Sequence, residues 1–559
     1  MSEELIVQSE GTILLDSEAE ESPDRVSTLS TFASLEQSQG QWHTYRLSDL
    51  SLWNAAGSGT TADEVITWLE KHSRTDLDLN LKNHIRNQME RYGLVRLVPA
   101  DRSGHIRMVT DDPSVMEIFE NTDSLPLPPP RDIGEDYAVF LAEERGLLKQ
   151  FLAREGWPAV DLLGYDEGKR LQVELDPSEC ELRDYQQEAL EAYEQGEQRD
   201  GGSGVILLPC GAGKTIVGLG LMQQLDASTL IIATHRTARR QWKEEILEKT
   251  NLTTDQVGEY AQHEKEIRPV TLTTYNMLTY RDQESGRFQH LDLFNRADWG
   301  LIIYDEVHLL PAPVFRATAG IQSRRRLGLT ATLVREDDRE TDVFSLIGPK
   351  RYEYPWLKLT EEGWISPARC VELRLEPDRE TRSEYNRAEL RDQHRIAASN
   401  RKKIKAVEEI LKQHPEGRVL VIGYYLDSLR DVAQEFGFPL ITGETPLQER
   451  QRTYEQFRQG EVDAIILSKV GNYSVDLPNA NVLVQISGSF GSRQEEAQRL
   501  GRILRPNEDD SISHFYHLVT EETVEVEFAR RRKQYLLRQG YEYEIEEFDE
   551  DFRSEAVSV

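Results

Sequence analysis

The chain has 559 residues, of which 38% are apolar and 30% charged, and 99 Asp plus Glu against 66 Lys plus Arg give a net charge of −33. This length exceeds one hydrophobic core and predicts about three or four domains. No apolar run approaches the roughly 20 residues that span a bilayer, so we expect a cytoplasmic protein without a membrane partner. Three cysteines without a C-x-x-C pair disfavour a zinc or iron–sulfur site.

The acidic residues are concentrated at both ends of the chain. Residues 1–40 hold nine acids and a single base, and residues 542–551 hold seven acids and no base. Such segments are typical of disorder, so we expect acidic disordered tails at 1–45 and 541–559. Acids also dominate between the motifs described below, which suggests adaptation to a high-salt cytoplasm, where salt screens charge repulsion.

An N-terminal accessory domain is predicted over residues 46–120. Val65, Trp68 and Leu69 recur at helical spacing, and the runs 94–98 and 106–110 are typical of strands around a turn. Helices followed by a hairpin predict a winged-helix-like module. Prolines between residues 121 and 131 predict a stiff linker, and residues 121–180 complete this region.

From about residue 182 apolar strand-like runs alternate with helical stretches, as in parallel α/β structures. The pattern occurs twice, which predicts lobes at 181–355 and 356–540. The expected strands of the first lobe are 204–208, 229–233, 271–273, 301–304 and 326–329, and those of the second are 419–422, 464–467 and 482–486.

The first strand of the first lobe leads into a phosphate-binding loop. The loop residues are Pro209, Cys210, Gly211, Ala212, Gly213, Lys214 and Thr215. Backbone amides of such a loop cradle phosphates, Lys214 would reach the β- and γ-phosphates, and the Thr215 hydroxyl would bind Mg²⁺. The strict motif has glycine where Leu208 stands, so this is a variant that predicts ATP and Mg²⁺ as cofactors.

Two carboxylates follow a second apolar strand, 91 residues after Lys214. Asp305 and Glu306 come directly after the run 301–304, and the carboxyl ends of parallel strands face the nucleotide crevice. We expect Asp305 to hold Mg²⁺ and Glu306 to orient or deprotonate the water that attacks the γ-phosphate.

The last part of the chain predicts groups that complete catalysis. Arg502 and Arg505 lie three residues apart, on one helical face close to Gln498, and arginine fingers stabilise charge on a transferring phosphoryl group. Fingers supplied by a second lobe would make hydrolysis depend on closure. Thr330 and Thr332 follow another strand and would link Asp305 and Glu306 to that lobe.

Contacts to nucleic acid are expected at the mouths of the strands. The candidates are His235, Arg236, Thr274, Lys469 and Gly471. Contacts to phosphate are independent of base sequence, as a translocating protein requires.

With these motifs placed, residues 180–540 resemble superfamily 2 helicases, and among them the XPB family. The resemblance rests on Leu182–Gln186, the phosphate loop, Asp-Glu-Val-His at 305–308, G-L-T-A-T-L-V-R-E-D-D at 328–338 and the segment 494–505. It implies two tandem RecA-like parallel-sheet lobes, nucleotide contacts from Arg183 and Gln186, and 3′-to-5′ polarity.

The resemblance also implies a biological setting. Arg335, Glu336 and Asp337 would help to open duplex DNA, a short insertion at about 376–400 would grip DNA like a thumb, and residues 132–178 would hold a damage-recognition-like region. The expected function is duplex opening in nucleotide excision repair, and in transcription, by a monomeric motor with a partner nuclease. The acidic composition is typical of an archaeal, halophilic member.

Other interpretations of the residues stay open. An RNA helicase would share the ATP chemistry, although the Asp-Glu-Ala-Asp box is absent. A restriction-type motor subunit is another, although no nuclease carboxylate cluster stands out. An ATP-gated remodelling module would hydrolyse ATP without unwinding, and sequence does not separate it from a helicase.

Overall fold

The computed structural model describes residues 5–16, 22–39, 42–119, 127–200, 202–209, 211–282, 288–322, 324–331, 340–364, 367–468, 480–488, 512–538 and 542–548. The chain forms two compact units. Unit 1 comprises residues 1–209 and 213–354, and unit 2 comprises residues 210–212 and 355–559. In the described ranges, no helix is long and apolar enough to cross a membrane.

Unit 1 begins with an antiparallel sheet in the order β1-β2-β4-β3. Its strands are β1 (Leu5–Val7), β2 (Thr12–Asp16), β3 (Ser34–Gln39) and β4 (Trp42–Arg46), and the helices of this module are α1 (Ser22–Phe32), α2 (Asp49–Ser58), α3 (Ala62–His72) and α4 (Leu79–Arg91). The predicted disordered tail at 1–45 is therefore wrong for the residues described. Leu5, Val7, Ile13 and Leu15 alternate into the core, a short period-two signal hidden by the surrounding Ser and Glu.

A second module follows, with a mixed sheet in the order β7-β8-β6-β5-β9 and one α-helix. Its elements are β5 (Val95–Pro99), β6 (His105–Thr110), β7 (Asp132–Ile133), β8 (Tyr137–Leu141), α5 (Arg145–Arg154) and β9 (Ala159–Asp161). The hairpin β5–β6 was expected correctly as a pair of strands, but the winged-helix-like grouping is wrong. Helices α3 and α4 pack into the core of the first module, whereas the hairpin packs into the core of the second.

The proline-rich segment does not simply link two domains. Leu127 is buried in the core of the second module, together with Phe140 and Leu152. Leu127 thus joins this core before the chain forms β7, so the described part of the segment contributes to a folded module.

The first parallel lobe completes unit 1 with a seven-stranded sheet in the order β12-β13-β11-β14-β15-β10-β16. Its strands are β10 (Gly204–Leu207), β11 (Thr229–Ala233), β12 (Val257–Glu259), β13 (Val270–Thr274), β14 (Leu301–Asp305), β15 (Arg325–Thr330) and β16 (Lys350–Glu353). Its helices are α6 (Asp184–Asp200), α7 (Lys214–Leu225), α8 (Arg236–Lys249), α9 (Tyr275–Leu278), α10 (Ala312–Ala319) and α11 (Glu340–Leu346). All pairings are parallel, as the sequence predicted.

Unit 2 holds the second parallel sheet, in the order β19-β20-β18-β21-β22-β17-β23. Its strands are β17 (Ala368–Leu375), β18 (Val419–Gly423), β19 (Leu440–Ile441), β20 (Ala464–Ser468), β21 (Val482–Gln485), β22 (Ser513–Thr520) and β23 (Glu542–Glu547). Its helices are α12 (Trp356–Glu361), α13 (Arg379–Arg387), α14 (Leu390–Ala398), α15 (Lys402–Gln413), α16 (Leu426–Phe436), α17 (Leu447–Gln459) and α18 (Val524–Arg538). The α/β fold class with two parallel-sheet, RecA-like lobes and N-terminal accessory modules is confirmed.

Two predicted features of unit 2 fall on described residues. The insertion expected at about 376–400 consists of helices α13 and α14. The predicted acidic tail at 541–559 is wrong for residues 542–547, which form β23 and pair in parallel with β17. Arg369 on β17 forms ion pairs with Glu544 and Glu546, so these acids are held by a cation of the neighbouring strand.

The first module offers a direct test of the revised fold. Ile13 is fully buried in β2, whereas its neighbour Leu14 lies on the other face and is half-buried. We expect Ile13→Ala to destabilise unit 1 by about 2–5 kcal/mol, because it removes methyl groups from a packed core. Leu14→Ala is the matched control and should have a smaller effect. Thermal unfolding of the full chain measures the stability of both variants. An unchanged unfolding temperature in both would contradict a packed core around Ile13 and favour a disordered N-terminal segment.

Candidate nucleotide and coupling site

The sheet order of the first lobe brings three chemically important strand ends together. β15 lies between β14 and β10, and all three run in parallel. Their carboxyl ends therefore meet at one edge of the sheet. β10 leads to the phosphate loop, β14 ends at Asp305, and β15 ends at Thr330.

The phosphate loop ends in a turn that requires glycine. Gly213 has φ of 77° and ψ of 41°, a left-handed conformation that favours glycine, and it caps helix α7, which begins at Lys214. Gly211 also has a positive φ, of 85°. A helix N-terminus presents free N–H groups and a positive dipole end, so this turn is suited to binding phosphate.

Gln186, which is expected to contact the nucleotide, lies beside this turn. A Cβ at Gly213 would collide with Nε2 of Gln186, which places that amide directly against the loop. The Gln186 Oε1 accepts a hydrogen bond from the Arg183 N–H at 3.0 Å, and Arg183 Nη1 donates to the Tyr185 hydroxyl at 3.0 Å. Pro209 is buried and Thr215 is half-buried.

An ion pair joins the phosphate loop to the carboxylates at the end of β14. Lys214 Nζ lies 3.2 Å from Glu306 Oε1, and the two side chains are only 13% and 14% exposed. Burial would raise the pKa of Glu306, but the attraction of Lys214 and His308 lowers it. Burial and the adjacent Glu306 raise the pKa of Asp305, while Lys214 acts in the opposite direction.

This charge distribution suits a divalent cation. Asp305 is a buried carboxylate whose negative charge is disfavoured by its surroundings, so a cation beside it would stabilise the ionised form. Thr215 supplies a hydroxyl oxygen on the first turn of α7, and hard cations such as Mg²⁺ prefer oxygen ligands. The residues therefore fit Mg²⁺ held by Thr215 and Asp305.

Glu306 has a strained backbone that its neighbours hold in place. Its φ of 48° and ψ of 59° are left-handed, which for a residue with a Cβ costs about 1–3 kcal/mol. Thr330 Oγ1 donates to Glu306 Oε2 at 3.3 Å, and His308 Nδ1 lies 2.6 Å from the same hydroxyl. The carboxylate at the end of β14 is thus linked to the end of β15 within the first lobe, and the expected link from Thr330 to the second lobe stays a prediction.

Two aromatic residues support Asp305 and were not identified from the sequence. Trp242 Nε1 on α8 donates to Asp305 Oδ2 at 3.3 Å, and the Tyr275 hydroxyl donates to the Asp305 carbonyl at 2.9 Å. The Trp242 ring also packs against Gly218 of α7, where a Cβ would collide with it. His308 was part of the Asp-Glu-Val-His motif, but Trp242 lies 63 residues before Asp305 and no spacing pointed to it.

The described candidates for nucleic-acid contact differ in exposure. Arg236 is exposed at the N-terminus of α8, and His235 caps that helix through Nδ1. Thr274 is buried, and its hydroxyl accepts a hydrogen bond from Met277 N at 3.2 Å. Thr330 is fully buried against His308 and Glu306, so of these residues Arg236 is the one with an exposed side chain.

Ten predicted site residues lie outside the described residues. They are Cys210, Thr332, Arg335, Glu336, Asp337, Lys469, Gly471, Gln498, Arg502 and Arg505.

Three families match separate parts of the chain. "ERCC3/RAD25/XPB C-terminal helicase" matches residues 359–556, "Type III restriction enzyme, res subunit" matches 179–335, and "Helicase conserved C-terminal domain" matches 5–125. The first two cover most of the two parallel lobes.

Relatives of known name match the chain along its whole length. The DNA 3′-5′ helicase XPB of Mycobacterium tuberculosis is 46% identical over 546 residues, which are 98% of this chain and 98% of that protein. The general transcription and DNA repair factor IIH helicase/translocase subunit XPB of Encephalitozoon cuniculi is 33% identical, over 96% of this chain and 82% of that protein.

The archaeal, halophilic origin expected from the acidic composition is not supported. The Rad25 relative of Halobacterium salinarum is 38% identical over 73% of this chain and 65% of that protein, less than the mycobacterial protein in both respects. Identity of 46% along nearly the entire length, together with the matched C-terminal region, shows that the chain belongs to the XPB family of helicases.

Proposed function

We propose that the chain is an ATP-driven 3′-to-5′ DNA helicase or translocase that opens duplex DNA in nucleotide excision repair, with a second role in transcription. The observation that carries this proposal is the buried pair of Lys214 and Glu306, which joins a phosphate loop to two carboxylates at one sheet edge. The named relatives, a DNA 3′-5′ helicase and a transcription and repair factor subunit, support DNA as the substrate.

The chemistry follows from the charges at this edge. The phosphates of ATP would lie at the N-terminus of α7 and draw Lys214 toward the γ-phosphate. Thr215 and Asp305 would hold Mg²⁺, whose positive charge would offset the negative charge of the phosphates. Glu306, whose pKa is lowered by the attraction of Lys214 and His308 despite its burial, is suited to orient or deprotonate the attacking water.

The second lobe would complete the site. Arg502 and Arg505 would supply arginine fingers and Gln498 would be a further catalytic group, so that hydrolysis requires the two lobes to close. Binding of ATP would favour the closed state and product release the open one, which is how a nucleotide cycle drives movement.

Contacts to DNA would be made by exposed and loop residues around the strand ends. Arg236 is the described candidate with an exposed side chain, while Lys469, Gly471 and the Arg335, Glu336, Asp337 element remain predictions. The monomeric state, the partner nuclease, the cytoplasmic location, the damage-recognition-like role of 121–180 and the thumb-like role of the insertion also remain predictions.

The catalytic roles are tested by DNA-stimulated ATP hydrolysis. We expect Lys214→Ala and Glu306→Gln to lower the rate by about 10²-fold or more, because each removes a group that acts on the transferring phosphoryl. Glu306→Gln should still bind ATP in an equilibrium titration. Glu244→Gln, which changes an exposed carboxylate on α8, is the control. Undiminished turnover in Glu306→Gln would refute its role with water.

The contribution of the second lobe is tested separately. Arg502→Ala should lower the hydrolysis rate by about 10³-fold or more while ATP affinity changes little, because an arginine finger acts mainly in the transition state. Single-turnover hydrolysis with equilibrium nucleotide binding separates the two quantities. A large loss of affinity with an unchanged single-turnover rate would contradict the finger assignment.

Trp242 is expected to position Asp305 for Mg²⁺. Trp242→Phe keeps a ring against Gly218 but removes the N–H that donates to Asp305. Loss of such a supporting hydrogen bond typically weakens metal affinity about tenfold. We therefore expect a tenfold higher Mg²⁺ concentration for half-maximal nucleotide binding, measured by calorimetry. Trp364→Phe, in unit 2, is the matched control, and equal Mg²⁺ dependence of both variants would disprove the positioning role.

A further inference from the structure

A small cavity lies where the second module packs on the first parallel lobe, away from the nucleotide site. Its wall includes Lys149 of α5, Asp161 of β9, Arg326 at the start of β15 and Arg351 of β16. The four residues are no more than 6% exposed. Since β15 runs from Arg325 to Thr330, the cavity lies at the strand end opposite to the one that carries Thr330.

Positive charge exceeds negative charge around this cavity. Among the described residues that line it, Asp161 is the only carboxylate. Asp161 is already shared: Arg145 Nε and Lys149 Nζ lie 2.7 and 3.1 Å from its Oδ2, and Arg145 Nη2 lies 2.7 Å from its Oδ1. One carboxylate therefore faces two cations, so positive charge is in excess before Arg326 is counted.

Arg326 finds hydrogen-bond acceptors but no ion-pair partner within the described residues. Its Nε donates to the Leu346 carbonyl at 2.7 Å and its Nη1 donates to the Gln322 carbonyl at 3.0 Å. Its Nη2 is buried without a partner, although the whole residue is 0% exposed. A buried guanidinium with an unused donor is costly unless something accepts from it.

The pKa shifts agree with an excess of positive charge. Burial lowers the pKa of Lys149 to about 8, and Arg326 and Arg145 contribute to the lowering while Asp161 opposes it. Burial would raise the pKa of Asp161, but the attraction of Lys149, Arg145 and Arg326 lowers it to about 2. The three cations thus act on a single acid at close range.

The cavity has room for a small ligand. Its volume is about 30 Å³, whereas one water needs about 10–15 Å³. We propose that this cavity binds a small inorganic anion, which serves as a counter-ion for Arg326 and for Lys149, whose partner Asp161 is shared with Arg145. An anion there would neutralise cations from α5 and β15 together, and so would hold the second module against the lobe.

Anion-dependent thermal unfolding of the full chain tests the proposal. In a chloride-free glutamate buffer of constant ionic strength, bromide or inorganic phosphate is titrated against wild type and Lys149→Met. We expect a saturable rise of several degrees in the wild-type midpoint, and at least a tenfold weaker response in Lys149→Met. Lys412→Met, which alters an exposed lysine of unit 2, should respond like wild type.

The two anions distinguish the ligand class. A response to bromide identifies a halide-sized site, and a response to phosphate alone identifies an oxyanion site. Phosphate bound at the phosphate loop would act equally on wild type and Lys149→Met, so only the difference between them reports the cavity. Equal responses in the two proteins, or no response to either anion, would overturn the proposal.

A second measurement covers the case in which Lys149→Met does not fold. Crystals of the wild type soaked in bromide should show anomalous scattering in the cavity within hydrogen-bond distance of Arg326 Nη2. Density for water alone, with no anomalous signal there and no phosphate, would refute the anion site.

Discussion

The ion pair between Lys214 and Glu306 is the interaction on which the candidate nucleotide site depends. The two residues are 92 positions apart in the chain, and their charged atoms lie 3.2 Å apart at a largely buried place. This proximity requires β10, β15 and β14 to be neighbours and parallel, because another strand order would separate the phosphate loop from the carboxylates. Removing one partner of a buried pair leaves an uncompensated charge, so the pair also favours this sheet order.

Binding of a nucleotide would change the contacts of this ion pair. Lys214 is balanced by Glu306, and triphosphate oxygens would compete for the same ammonium group. Glu306 would then keep Thr330 and His308 as neighbours and would gain freedom to hold a water. Its left-handed backbone supports this view, since strain of this kind persists only where the surrounding structure fixes it and is concentrated at functional sites.

Sequence reasoning was most successful where one strong local signal sufficed. The central strands of both lobes are apolar runs bounded by turns, and β11 was predicted with its observed bounds. The phosphate loop and the carboxylates are short motifs at strand ends, so parallel topology alone brought Lys214 near Glu306. Trp242 was missed because its contact with Asp305 depends on how α8 packs against α7, which no spacing in the chain encodes.

The N-terminal half was harder to predict for two reasons. Elements that are adjacent in the sequence belong to different modules, and the Ser- and Glu-rich composition suggested disorder. Helices α3 and α4 precede the β5–β6 hairpin directly, yet the first pair belongs to one core and the hairpin to the next. Local pattern identifies such elements, but it does not show which core each one joins. Leu127 shows the same difficulty. It stands among prolines and was expected in a linker, yet its side chain is buried, at 5% exposure.

The acidic composition led to wrong predictions for a related reason, because a high count of Asp and Glu does not show where those side chains lie. The acids of β23 alternate along a strand, and Glu544 and Glu546 pair with Arg369 on the neighbouring strand. Other acids carry structural roles in unit 1, where Asp161 forms ion pairs with both Arg145 and Lys149. Some of the acids that contribute to the net charge of −33 are therefore paired with specific cations. A nucleic-acid surface depends on local charge, and exposed Arg236 beside the strand ends of the first lobe is compatible with one despite the overall sign.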